Sequence, residues 1–317
     1  MKKWRINKIL KIIAMILTII GLLWAFLPSN KALRNVENVQ VKVNPVAPHE
    51  AILQTDPHAM PEERGESTIT STPKIVPLIQ EHRFSSSEAQ GPYKIAILID
   101  DMGLDLKGST RALNLPSFIS LSFLPYATRL SEQTREARQD GHELLLHIPM
   151  EPLGHSDPGP GALLVDLSPA ELKQRLDSDL ASFVGFDGAN NHMGSKFTSD
   201  SAGMKYVINE LQQRHLFFLD SRTTPKTVGE TIARQQGVPT IARDIFLDDD
   251  ESLAAIQLQL RLTEQVAKHK GYAVAIGHPH ATTLDALEKW IPYAQKNGFI
   301  LVPIHDLIHH EGSGSLE

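Results

Sequence analysis

Lys94-Ile95-Ala96-Ile97-Leu98-Ile99-Asp100-Asp101-Met102-Gly103 is the stretch whose reading decides the fold. Its first six residues hold five apolar and three β-branched side chains, the pattern of a strand buried on both faces inside a parallel sheet. Two adjacent carboxylates close the run, and a glycine follows that lets the chain turn. Desolvating paired carboxylates is costly without a cation or hydrogen bonds nearby. A helix cap plus one solvated acid is the plain alternative. A functional site at the carboxyl end of a strand, where open α/β sheets and barrels carry their chemistry, explains the pair better.

Outward from this strand the pattern alternates strand and helix to the end of the chain. Strands are expected at 94–99, 119–125, 143–149, 188–193, 216–221, 240–246, 272–277 and 299–304. Between several of them lie helices with readable ends. Ser168-Pro169-Ala170-Glu171 supplies an N-cap, a proline at the first helical position and a capping-box glutamate. Residues 200–213, 227–236, 251–269 and 283–296 read as further helices, with Gly237, Gly271 and Gly298 suited to their C-termini. Seven or eight such units in this length suggest an irregular α/β barrel. Neither a G-x-G-x-x-G nor a Walker loop follows any strand, which disfavours a nucleotide cofactor.

The ends of these strands carry the chemistry. His147 ends the third, Asn190-Asn191-His192-Met193-Gly194-Ser195 the fourth, Asp220-Ser221-Arg222 the fifth and Gly277-His278-Pro279-His280 the seventh. One strand-end histidine is ordinarily structural. Acids, histidines and an arginine at five strand ends converge on one face of a barrel. Such a set suits metal-assisted hydrolysis: two or three ligands, an open position for water, and separate acid and base groups.

Composition agrees. The chain has 317 residues and no cysteine, so any metal must use His, Asp or Glu. The net charge is −6, yet Lys2, Lys3, Arg5, Lys8 and Lys11 precede the first acid, Glu37. An acidic body argues against nucleic acid as a main partner. The basic run leads into an apolar segment, Ile12 to Leu27, read as a signal-anchor within residues 1–30 and favoured over a cleaved signal. Its basic flank stays cytoplasmic, which places the remainder outside the inner membrane. Residues 31–92 read as a proline-rich flexible linker, 93–310 as the folded domain and 311–317 as a tail.

Over residues 92–308 the sequence resembles the divergent polysaccharide deacetylase family. The match rests on Ile99-Asp100-Asp101-Met102-Gly103, Gly141-His142-Glu143, His147-Ile148-Pro149-Met150-Glu151, Asn190 to Ser195, Phe218 to Arg222 and Gly277 to His280. The resemblance implies the irregular (β/α)7–8 barrel of the polysaccharide deacetylases and a divalent metal, usually zinc. It implies Asp100 as general base, Asp101 and His147 as metal ligands, and His278 as general acid with His280 as its competitor. The position of a second histidine ligand holds Glu151, which can also bind zinc. Glu151 lies four residues after His147, close to it if the chain turns helical there. His192 is the alternative third ligand. Asp220 and Arg222 match groups that orient the catalytic pair, and Asn191, Ser195 and His280 are candidate substrate contacts. The reaction implied is attack of metal-activated water on the N-acetyl group of an envelope glycan, in the periplasm. The rival is a glycan-binding or division-associated scaffold that kept the barrel and lost the chemistry.

Overall fold

The computed structural model describes residues 92–311; the expected anchor, most of the linker and the tail lie outside the described residues. Among the described residues no helix is long and apolar enough to cross a membrane. The elements run β1 (Lys94–Met102), α1 (Leu106–Leu113), β2 (Ser120–Phe123), α2 (Leu130–Gln139), β3 (Leu144–Met150), α3 (Pro169–Leu180) and β4 (Gly188–Met193). After a 3-10 turn at Phe197–Ser199 come α4 (Ser201–Gln213), β5 (Phe217–Asp220), α5 (Gly229–Gln235), β6 (Thr240–Ala242) and β7 (Ile245–Phe246). The chain closes with α6 (Leu253–Lys270), β8 (Tyr272–Gly277), α7 (Ala281–Lys296), β9 (Ile300–Leu301) and α8 (His305–Glu311).

Hydrogen bonding sets the strand order β6-β5-β4-β3-β2-β1-β8-β7, with β9 also paired to β1. Every pairing is parallel. The two end strands, β6 and β7, are consecutive in the chain and separated by Arg243 and Asp244 alone. Three Cα steps span at most about 11 Å. The sheet must therefore curl until its ends nearly meet, giving an irregular barrel with a seam between β6 and β7. The single strand expected over 240–246 is split by this seam. Arg243 N–H donates to Asp220 O on one side, and Asp244 N–H to Val274 O on the other. The expected strand 299–304 shortens to two residues, and α1, α2 and α8 add to the helices expected.

Local signals behave as the side chains require. Ser168 and Glu171 form the capping box of α3, Asp105 caps α1, Asp200 caps α4 and Ser252 caps α6. Gly271 ends α6 at φ 90°, a conformation that an L side chain resists.

The core has two layers, and strand alternation assigns residues to them. Ile95, Ile97 and Ile99 of β1 pack with Leu144, Leu146 and Ile148 of β3 and with the helices. Ala96 and Leu98 instead face the barrel interior with Leu145, Leu219, Val274 and Ile276. Successive strand side chains alternate in direction. Asp100, His147 and His278 therefore continue the interior rows begun by Leu98, Leu145 and Ile276. Asp220 continues the row of Phe218, which belongs to the helix-facing layer.

One buried carboxylate oxygen in this layer lacks a hydrogen-bond partner. Asp179 of α3 is 4% exposed, and its Oδ2 makes no hydrogen bond. Burial pushes its carboxyl up to about 8 against the opposing charge of Arg175. The folded protein keeps this proton through a pH range where the unfolded chain has lost it, so stability falls as pH rises from about 4 to 8. Asp179→Asn removes the titration. The variant should gain little at pH 5 and on the order of a few kcal/mol at pH 8, read as the difference in Tm shift between the two pH values; equal shifts would refute it.

Candidate metal centre

Three ligating atoms meet at the carboxyl ends of β1, β3 and β4. Asp101 Oδ1 lies 2.8 Å from His192 Nδ1 and 3.2 Å from His147 Nε2, and the two ring nitrogens are 3.3 Å apart. Bonds to zinc of about 2.0–2.2 Å in tetrahedral geometry place neighbouring ligand atoms roughly 3.3 Å apart, so the set matches a metal site. The chemistry of the donors agrees. Despite these close approaches Asp101 Oδ1 is buried without a properly directed hydrogen bond. Burial raises the Asp101 carboxyl, but the contact and charge of His147 and His192 outweigh it and hold it well below the carboxylate range. Burial drives protons off His147, yet Asp100 and Asp101 hold it above its ordinary value. An acid driven down beside an imidazole driven up marks a place that attracts positive charge.

Backbone geometry explains how neighbouring acids share one cavity. In a regular strand Asp100 and Asp101 would point to opposite faces. Asp101 instead adopts φ 55°, and the β1–β2 register shifts between Ile99 and Met102. Both carboxylates then line a cavity of about 390 Å³ with His147, His192 and His278. Met193 and Arg222, at the ends of β4 and β5, also take left-handed backbones at φ 50° and 46°. Such conformations cost on the order of 1–3 kcal/mol each and cluster at functional sites.

Asn190 joins His147 to Asp100. It sits opposite His147 in the β3–β4 register and is fully buried. Its Nδ2 donates to Asp100 Oδ1 at 2.9 Å, Asp100 Oδ2 at 3.1 Å and Ser221 Oγ at 3.1 Å. Its Oδ1 accepts from Ser122 Oγ at 2.6 Å and faces His147 Nδ1 at 2.9 Å. Because Oδ1 only accepts, His147 Nδ1 carries the proton, which leaves Nε2 as the nitrogen that would offer its lone pair to a metal. Burial raises the Asp100 carboxyl, opposed first by the charges of His147 and His278.

Across the cavity His278 Nδ1 lies 2.9 Å from Asp248 Oδ1. Asp248 Oδ2 accepts from His278 N at 2.7 Å and Thr283 Oγ1 at 2.8 Å. Burial lowers the His278 imidazole, but the Asp248 hydrogen bond and charge raise it to about 9, with Asp101 and Asp100 adding to them. His278 Nε2 stands 3.8 Å from Asp101 Oδ2, facing the metal ligands. Asp248 is absent from the sequence expectation; its signal was the acid run Asp248-Asp249-Asp250 after a strand. Arg243, also unanticipated, lines the cavity from the seam. Its Nε and Nη2 donate to Ser221 O and Arg222 O, and its charge acts on Asp100.

The other expected site residues divide between the cavity wall and its surroundings. Glu151 does not join the ligands. Residues 144–150 are strand rather than helix, and at about 3.3 Å per residue four positions carry Glu151 roughly 13 Å along. Its carboxylate accepts from Lys196 Nζ at 2.6 Å and Val165 N at 2.8 Å, bracing two loops. Asp220 faces the helix layer, accepting from Arg222 N, Thr227 Oγ1 and Glu230 N at the start of α5. Arg222 lines the cavity but pairs with Glu230 at 2.7 Å. Asn191 lines it too, while accepting from Ser221 N and donating to Met193 O. Ser195 Oγ accepts from Leu153 N. His280 is half-exposed beside His278, with ring centroids 5.7 Å apart.

Alanine at Asp101, His147 or His192 should each abolish divalent-metal binding at this centre, whereas Glu151→Ala should retain it. Asn190→Ala should weaken binding about 10–100-fold. Equilibrium dialysis with elemental analysis reads both, and circular dichroism checks that each variant is folded. Metal loss in Glu151→Ala alone would reverse the assignment of the third ligand.

The family model of the divergent polysaccharide deacetylases matches residues 97–308. An uncharacterized Haemophilus influenzae protein is 38% identical over 195 residues, 62% of this chain and 70% of that one. The uncharacterized protein YibQ of Escherichia coli is 36% identical over 198 residues, and the match spans 62% of either chain. A crystal structure of an uncharacterized Agrobacterium tumefaciens protein superposes with TM-score 0.66 at 29% identity, covering 71% of this chain and 92% of that one. The chain belongs to the divergent polysaccharide deacetylase family.

Proposed function

We propose that the protein is a zinc-dependent hydrolase that removes N-acetyl groups from an envelope polysaccharide. The observation that carries this reading is the convergence of Asp101, His147 and His192 between a tethered carboxylate, Asp100, and a carboxylate-backed imidazole, His278. Zinc held by the three ligands would supply Lewis acidity toward an acetyl carbonyl and lower the pKa of water. Asp100, held in place by both hydrogen bonds from Asn190, takes a proton from water as its oxygen adds to the acetyl carbon. His278, oriented by Asp248, gives a proton to the amide nitrogen as the C–N bond breaks. Acetate and a free amine result. A metal ligand set with no nucleotide loop, and an acidic body, support a glycan substrate over a nucleotide or nucleic acid.

The basic and apolar N-terminal segment supports placing this domain on the outer side of the inner membrane, within reach of such a glycan. A reporter fused to the C-terminus should work outside the cytoplasm; one active only in the cytosol would reject the location and the envelope substrate with it.

Zinc-loaded protein should release acetate from N-acetylglucosamine oligomers or peptidoglycan. Asp100→Asn and His278→Ala should each lower turnover by about 10²–10⁴-fold while the zinc held by Asp101, His147 and His192 is retained. A protein that holds zinc and glycan yet releases no acetate would assign the pocket to binding alone.

A further inference from the structure

A second group of metal-binding side chains borders the first. Asp248, His278 and His280 each bring one ligand atom to within 4.8 Å of the other two. Asp248 and His278 are held rigidly: Thr283 and the His278 backbone fix the Asp248 carboxylate, and Asp248 fixes the His278 ring. His280 is the adjustable member. It stands at the start of α7 with its side chain 44% exposed, and its Nε2 lies 3.7 Å from Glu251 Oε1 on the rim. Rotation of this imidazole supplies the small closure that bonds of about 2.0–2.2 Å require.

Two imidazoles with a buried carboxylate, and another carboxylate at hand, form a donor set of the borderline kind that zinc prefers. Nothing in the hydrolytic scheme uses His280 as a ligand. We propose that Asp248, His278 and His280 form a second divalent-cation site, weaker than the first, whose occupation by zinc takes His278 out of proton transfer. It is weaker because one ligand is mobile and half-exposed, and because zinc must displace the existing Asp248–His278 hydrogen bond. Zinc bound at His278 Nδ1 replaces the link to Asp248 that orients the ring and holds its proton. The inhibitory consequence rests on the proton-donor role of His278 proposed above, whereas the binding site does not.

The test titrates the full chain, purified in detergent and stripped with a chelator, with zinc alone. Wild type should hold two zinc ions per chain with separable affinities. His280→Gln should hold one, Asp101→Ala should hold only the weaker, and the double variant none. A wild type that holds one zinc at saturation, or a second zinc that persists in His280→Gln, overturns the site and leaves the primary centre standing. A wild type that holds none overturns both. In acetate-release assays, turnover at excess zinc divided by turnover at one equivalent should fall well below one for wild type and stay near one for His280→Gln. An unchanged ratio in wild type overturns the inhibitory role.

Discussion

The alternation of side chains along parallel strands is the constraint on which the rest depends. Leu98, Leu145, Leu219 and Ile276 fill the barrel interior, and the next residue of the same parity on each strand is Asp100, His147, Ser221 or His278. The apolar rows that close the barrel also aim the polar residues at one point. Asp220, one residue out of phase, falls on the helix side and is spent on starting α5. A slip of one residue in any strand would exchange the two sets.

Asp101 is the deliberate exception. Its left-handed backbone breaks the alternation at the strand end, so a second carboxylate enters the cavity beside the first. Aspartate tolerates this conformation better than most residues. Arg222 and Met193 do so less readily, and the buried sheet around them must hold them in place. Rigidity of the same kind comes from Asn190, whose two polar ends tie the His147 imidazole to the Asp100 carboxylate. Deleting it leaves several buried polar groups without a partner, which costs more than the bonds themselves contribute.

The far end of the barrel uses similar residues for a different purpose. His142 places its ring nitrogens 2.8 and 3.2 Å from Ile119 O and Leu113 O. The Glu143 carboxylate accepts from Ser120 Oγ, Ile304 N and His305 N, pinning the start of α8 to β2 and β3. Residues at the amino ends of barrel strands serve stability, those at the carboxyl ends chemistry. The Gly141-to-Met150 segment spans both ends: Glu143 secures the last helix and His147 meets Asp101 and His192.

Sequence alone determined the strand–helix alternation, the helix caps at Ser168 and Gly271, and the strand ends on which Asp100, Asp101, His147, His192 and His278 stand. Those features are local: periodicity, capping chemistry and the cost of a buried acid are all written within a few residues. Only tertiary structure brings His192, and not Glu151, to Asp101 and His147, because that placement depends on β3 being extended and on its register with β4. Asp248 and Arg243 were hidden for the same reason. Arg243 stands at the seam where the sheet's two ends meet, and Asp248 meets His278 through the β7–β8 pairing, so neither placement follows from any spacing along the chain.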